Sequence, residues 1–154
     1  MRVLYPPEKI DIAPNEKAIF LAGSIENGAA IDWQSIFIEK LGDTNWVVLN
    51  PRRREWDASW EQSLQNPQFV EQVNWELEGL ENATLIVLNL IPSTLSPISL
   101  LEFGLYARSG KLVVCCPQGF WRKGNIDVVC QRYGIKQVES LEELIDYTLN
   151  LALC

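Results

Sequence analysis

Thr84-Leu-Ile-Val-Leu88, followed by Ser96-Pro97 and the run Ile98-Ser-Leu-Leu-Glu-Phe-Gly-Leu-Tyr-Ala107, sets the fold class. Four consecutive apolar residues after Thr84, without polar alternation, make a strand covered on both faces, as in the middle of a parallel sheet. Ser-Pro then reads as a helix cap and first helical residue, and the helix closes near Gly110. A buried strand delivering into a capped helix is one βα unit.

The same unit recurs on either side. Lys17-Ala-Ile-Phe-Leu-Ala22 ends in Gly23 and leads to a helix over 31–41, with apolar spacing on Ile31, Ser35 and Ile38 and with Trp33 and Phe37 beside them. Trp46-Val-Val-Leu49 is a second strand, closed by Asn50-Pro51. A long irregular stretch over 52–65 follows, of a length often tied to function. Asn66-Pro67 opens a helix running to Asn82 with Phe69, Val73, Leu77 and Leu80 on its face. Downstream lie a strand over 111–116, a short helix over 125–133, a brief edge strand over 136–138, and an amphipathic helix opened by Ser140 that carries Leu141, Leu144, Ile145, Leu149 and Leu151.

Five strands alternating with helices predict an α/β fold, a three-layer, doubly wound, mainly parallel five-stranded sheet of flavodoxin- or Rossmann-like order. Residues 1–16, with Pro6, Pro7 and Pro14, have no clear period and read as an N-terminal arm. Residues 17–154 read as a single domain. Ligands of such sheets sit at the carboxyl ends of the strands, which directs attention to the loops after Ala22, Leu49, Leu88 and Cys116.

Composition narrows the chemistry. The 154 residues are 47% hydrophobic, enough for a core, and 20 acidic against 13 basic residues leave a net charge of -7 that repels nucleic acid. No apolar run approaches the ~20 residues a bilayer needs, and the first residues lack the apolar core of a signal peptide. A cytoplasmic protein without membrane partners is expected. There is no histidine, which removes Ser-His-Asp triads, Cys-His dyads and most catalytic zinc or iron sites, so no metal and no cofactor is expected. Carboxylates must then carry proton transfer or nucleophilic attack. Cys115, Cys116, Cys130 and Cys154 form no C-x-x-C pair and read as reduced thiols.

Four groups of residues are candidates for a site. Glu102 stands among Leu100, Leu101, Phe103 and Leu105; either it is a buried carboxylate put to use, or it is a helix glutamate favoured by the dipole and reaching water. Glu76 lies three and four residues from Val73 and Leu80 and so shares the buried side of its helix, whereas Glu78 and Glu81 read as solvent charges. Gly23-Ser-Ile-Glu-Asn-Gly28, with Gly23, Ser24 and Glu26, is a ligand-wrapping loop or simply a tight βα turn, and it lacks both G-x-G-x-x-G and G-x-x-x-x-G-K-[ST]. Arg52-Arg53-Arg54 suits phosphate, with Trp56 and Trp60 as an aromatic wall, or else pairs with Glu55 and Asp57.

Phe20-Leu-Ala-Gly23, Asn82-Ala83 before an apolar strand, and Glu102-Phe-Gly104 placed 19 residues after Ala83 together resemble the nucleoside 2-deoxyribosyltransferase family and a related branch of it, over about 18–135. The resemblance implies that Glu102 is a nucleophile at the anomeric carbon of a nucleoside, that Glu76 is an acid near the base, and that Asn125 reaches into a neighbouring subunit's site. A homo-oligomer with shared sites would follow. Ser96 stands where members of that family carry an aspartate that contacts the base, with Ser99 one turn nearer Glu102, and Phe20 stands where they carry a tyrosine. The expected activity is N-glycosyl transfer or hydrolysis on a nucleoside or nucleoside monophosphate, with Arg52 and Arg53 suited to the phosphate. The alternatives are a catalytically silent nucleotide-binding module and a glycohydrolase of the NAD-cleaving kind.

Overall fold

The middle of the sheet is Leu85–Asn89, every residue of which is buried. It pairs in parallel with Lys17–Gly23 on one side and Leu112–Cys115 on the other. In this computed structural model, which describes residues 1–25 and 30–152, the elements run β1 (Arg2–Leu4), β2 (Lys17–Gly23), α1 (Trp33–Leu41), β3 (Trp46–Leu49), α2 (Pro67–Asn82), β4 (Leu85–Asn89), α3 (Pro97–Tyr106), β5 (Leu112–Cys115), α4 (Lys123–Tyr133), β6 (Lys136–Val138) and α5 (Leu141–Ala152). The strands lie in the order β1-β3-β2-β4-β5-β6, all parallel. With β1 set aside this is the flavodoxin-like order, whose switch point lies between β2 and β4.

The sheet has six strands rather than five. Arg2–Leu4 pairs with β3 at the edge and buries only Leu4, so it is too short and too exposed to show a period in sequence. The rest of the predicted arm crosses the face: Trp75 Nε1 donates to the Glu8 carbonyl at 2.7 Å, and Ile10 is buried.

Alternation along the strands sorts the core into two layers. Ala18, Phe20, Ala22, Leu49, Leu88 and Val114 pack toward Trp75 and Leu80 of α2, Phe103 of α3 and Ile126 of α4. Ile19, Leu21, Val48, Val87 and Val113 pack on the other face against Trp33 and Phe37 of α1 and Leu144 and Ile145 of α5. Helices on both faces of a parallel sheet bury its central strands from both sides, which explains the unbroken apolar runs.

Two predicted helix faces are rotated. On α1 the buried residues are Trp33, Gln34, Phe37 and Leu41, while Ile31 precedes the helix and is exposed. On α2 they are Gln72, Trp75, Gly79 and Leu80, and Leu77 points outward. Large aromatic side chains set the inward direction in both cases. No helix among the described residues is long and apolar enough to cross a membrane.

Candidate active site

Gly23 ends β2 at φ 134°, where a Cβ would run into the backbone of Asn89, so glycine alone lets the chain turn this close to β4. The next residue, Ser24, is fully buried and donates its N–H to the Asn89 carbonyl at 3.0 Å. Its Oγ accepts from Ile91 N–H at 2.9 Å and lies 2.8 Å from Thr94 Oγ1 and 2.6 Å from Ser96 Oγ, and Thr94 and Ser96 close the ring at 2.6 Å. Ser96 stands immediately before α3, as its Ser-Pro signal predicts, but its side chain does not cap the helix. It sits in the left-handed region at φ 48°, which costs about 1 kcal/mol for an L-residue, and its hydroxyl turns inward to Ser24 and Thr94. The switch point is thereby pinned by three hydroxyls. Glu26 lies outside the described residues.

The two carboxyls approach each other from α2 and α3. Glu102 is buried at 8% exposure, with Ser99 buried one turn earlier, and among the described residues its carboxyl meets no hydrogen-bond donor. Burial, and then the charge of Glu76, push it up from 4.5 to about 8. Of the two sequence readings, a helix glutamate standing free in solvent does not fit a side chain only 8% exposed. Glu76 is also raised by burial, but Gln72 Nε2 donates to its Oε1 at 2.8 Å and favours the charged form. Both carboxyls are thus pushed toward the protonated form, Glu102 by burial and the charge of Glu76, Glu76 by burial against the pull of Gln72. Leu101 and Leu105 beside it are exposed, so the apolar surroundings come from the sheet side of the helix.

The arginine run is folded onto its own partners. Arg52 Nε lies 3.3 Å from Gln34 Oε1, to which it donates, and 3.4 Å from Asp32. Arg53 pairs with Glu71 at 2.9 Å and covers the Trp60 ring at 5.2 Å, and Trp60 meets Trp56 edge-on at 5.2 Å. Arg54 lies over Tyr5 at 5.0 Å. The ion-pair partners are thus Asp32, the residue that caps α1, and Glu71 of α2, and not the neighbouring Glu55 and Asp57. Arg53 and Arg54 also border a cavity of about 400 Å³ walled by Tyr5, Pro6 and Pro7.

Asn125 is exposed on α4 and lines a groove of about 500 Å³ with Phe103, Gly104 and Ile126; Glu102 is not among its walls. Burial pushes the Cys115 thiol up to about 12 and those of Cys116 and Cys130 up to about 11, the opposite of an activated nucleophile. Among the described residues no three His, Cys, Asp or Glu side chains gather to hold a metal ion. Gln34, Asn50, Gln72, Asn89 and Thr94 are buried polar residues that the sequence reading passed over. Only Gln72 carried a signal, since it stands one turn before Glu76.

A family model described as nucleoside 2-deoxyribosyltransferase like matches residues 16–120. That span holds Phe20, Glu76, Ser96 and Glu102 but stops short of α4 and Asn125, earlier than the resemblance in the sequence suggested. None of the curated proteins matches the chain. Among solved structures, a conserved protein from Enterococcus faecalis V583 superposes with a TM-score of 0.59 at 16% identity, covering 85% of this chain and 96% of that one, a likeness of fold.

Proposed function

The chain belongs to the nucleoside 2-deoxyribosyltransferase-like family, and on that basis we propose that it cleaves the base–sugar bond of a nucleoside or nucleoside monophosphate, with Glu102 as nucleophile and Glu76 as acid/base helper. The observation that carries this reading is the buried Glu102 carboxyl, without a hydrogen-bond donor among the described residues, beside a second carboxyl at the switch point of the sheet.

The pair holds one proton between two carboxyls. Moving it from Glu102 to Glu76 charges the nucleophile and arms the acid together. Glu102 then attacks the anomeric carbon, the carbon–nitrogen bond breaks with its electron pair going to the base, and Glu76 protonates the departing base. In the second half, water or another base attacks the same carbon, gives its proton to Glu76, and the ester bond to Glu102 opens. Burial suits this chemistry, because a carboxylate freed in a low-dielectric site stabilises an oxocarbenium-like transition state strongly. Arg52 and Arg53 would hold a 5′-phosphate only by exchanging their present partners Asp32 and Glu71. Asn125, exposed and sharing no cavity wall with Glu102 in its own chain, fits a role in a neighbouring copy, and we place the protein in a homo-oligomer on that ground.

Incubation with a panel of nucleosides, monophosphates and NAD, with chromatography for free base, is the test. Release from a nucleoside or monophosphate, lost in Glu102→Ala, is expected. Equal release by Glu102→Ala would overturn the role of Glu102, and free nicotinamide from NAD alone would favour glycohydrolysis of the dinucleotide. Ligand-dependent stabilisation without any base release would mark a binding module.

A further inference from the structure

Gln72 is 4% exposed on α2, and its amide spends both N–H groups on two elements of the site: Nε2 donates to the Pro51 carbonyl at 3.0 Å and to Glu76 Oε1 at 2.8 Å. Its own Oε1 is buried without a partner among the described residues. Turning the amide over would set Oε1 against two acceptors, so the orientation is forced by Pro51 and Glu76 at the expense of an unsatisfied oxygen. A buried side chain that gives up one hydrogen bond to hold two others is placed for those two. Pro51 opens the 51–66 loop that carries the arginines, so the amide joins that loop to the carboxyl pair.

We propose that Gln72 is the positioning residue of the carboxyl pair, anchoring the Glu76 carboxylate to the carbonyl that opens the arginine loop. The proposal rests on the assignment of Glu76 and Glu102 to the reaction. Glu76 faces Gln72 on its own helix and Glu102 on α3, and among the described residues no cation pairs with it. Gln72 is thus the donor that favours the charged form of Glu76 against its burial, while the proton on Glu102 is favoured first by burial and then by the charge of Glu76.

The test uses the full chain as wild type, Gln72→Met, which keeps the length and loses both donors, and Gln72→Asn, which keeps an amide out of reach. Side-chain carboxyl resonances of ¹³C-labelled glutamate, assigned with Glu76→Gln and Glu102→Gln, are followed against pH. In Gln72→Met the Glu76 midpoint rises by about half a unit or more while the Glu102 midpoint, which is set mainly by burial, moves less. A residue that merely packs would not move Glu76 selectively. In the base-release reaction kcat falls about tenfold while KM holds, because the misplaced acid acts only on the chemical step. A Glu76 midpoint that stays in place, or two midpoints that move equally, overturn the proposal. Gln72→Asn is expected to raise the Glu76 midpoint in the same way and serves in its place should Gln72→Met fail to fold. A wild type that releases no base refutes the proposed reaction and leaves the titrations to decide the role of Gln72.

Discussion

Glu102 is held in the fold at a cost that rises with pH. Its carboxyl titrates near 8 in the folded chain against 4.5 when free, so unfolding releases a proton anywhere between those values. Stability therefore falls as pH rises from about 4.5 to 8 and levels off above. Glu102→Gln keeps the shape and removes the ionisable group. We expect it to match the wild type near pH 4 and to exceed it by on the order of 3 kcal/mol at pH 7, as read from urea unfolding at the two pH values. An equal difference at both would mean that the gain comes from packing. Phe20 is fully buried in the same apolar layer as Phe103, with its ring 6.3 Å from that of Trp75.

Among the elements, α2 does the most to assemble the site, because it carries Gln72 and Glu76 and must lie close to β2. Its start is secured by Asn66, whose side chain accepts from the N–H groups of Gln68 and Phe69, with Pro67 in the first turn. Its approach is allowed by Gly79, where an added Cβ would stand 2.8 Å from the ring of Phe20. Alanine is favoured over glycine in a helix by up to about 1 kcal/mol, but overpacking a buried ring costs about 1–3 kcal/mol, so clash wins. Gly79→Ala should lower stability by about 1 kcal/mol and shift Glu76 with the helix. A denaturant midpoint at or above that of the wild type would show that the ring yields. The helix α3 is fixed differently, by Phe103 in the core and by the hydroxyl ring of Ser24, Thr94 and Ser96 at its start.

For the molecule as a whole, the same helix that buries Glu102 leaves Ile98, Leu101 and Leu105 each 58% exposed, and Leu95 is 61% exposed nearby. Such a stripe is an apolar patch on the side of α3 away from the carboxyl pair, next to the groove that holds Asn125. The homo-oligomer proposed above gives it a covering. Leu101→Glu is then expected to reduce the mass in sedimentation or light scattering to that of one 17.5 kDa chain, with base release lost if sites are shared. A wild type that already sediments as one chain would remove the oligomer and the role of Asn125 with it.

Local pattern in the chain was enough for the parallel α/β order, the start of α2 at Asn66-Pro67, the strand at 136–138 and the prominence of Glu102, because each rests on neighbours in sequence: unbroken apolar runs, cap residues, and a carboxyl set among leucines. A family pattern in the residues carried Glu76 and Ser96 further than spacing alone. Contacts made only on folding settled the edge strand β1, the inward faces of α1 and α2, the arginine partners Asp32 and Glu71, the inward turn of the Ser96 hydroxyl and the hold of Gln72 on Glu76. Most of these join residues distant in the chain. The rest, the turn of a helix face, of a hydroxyl or of an amide, depend on what the folded chain brings alongside, and no local pattern records that.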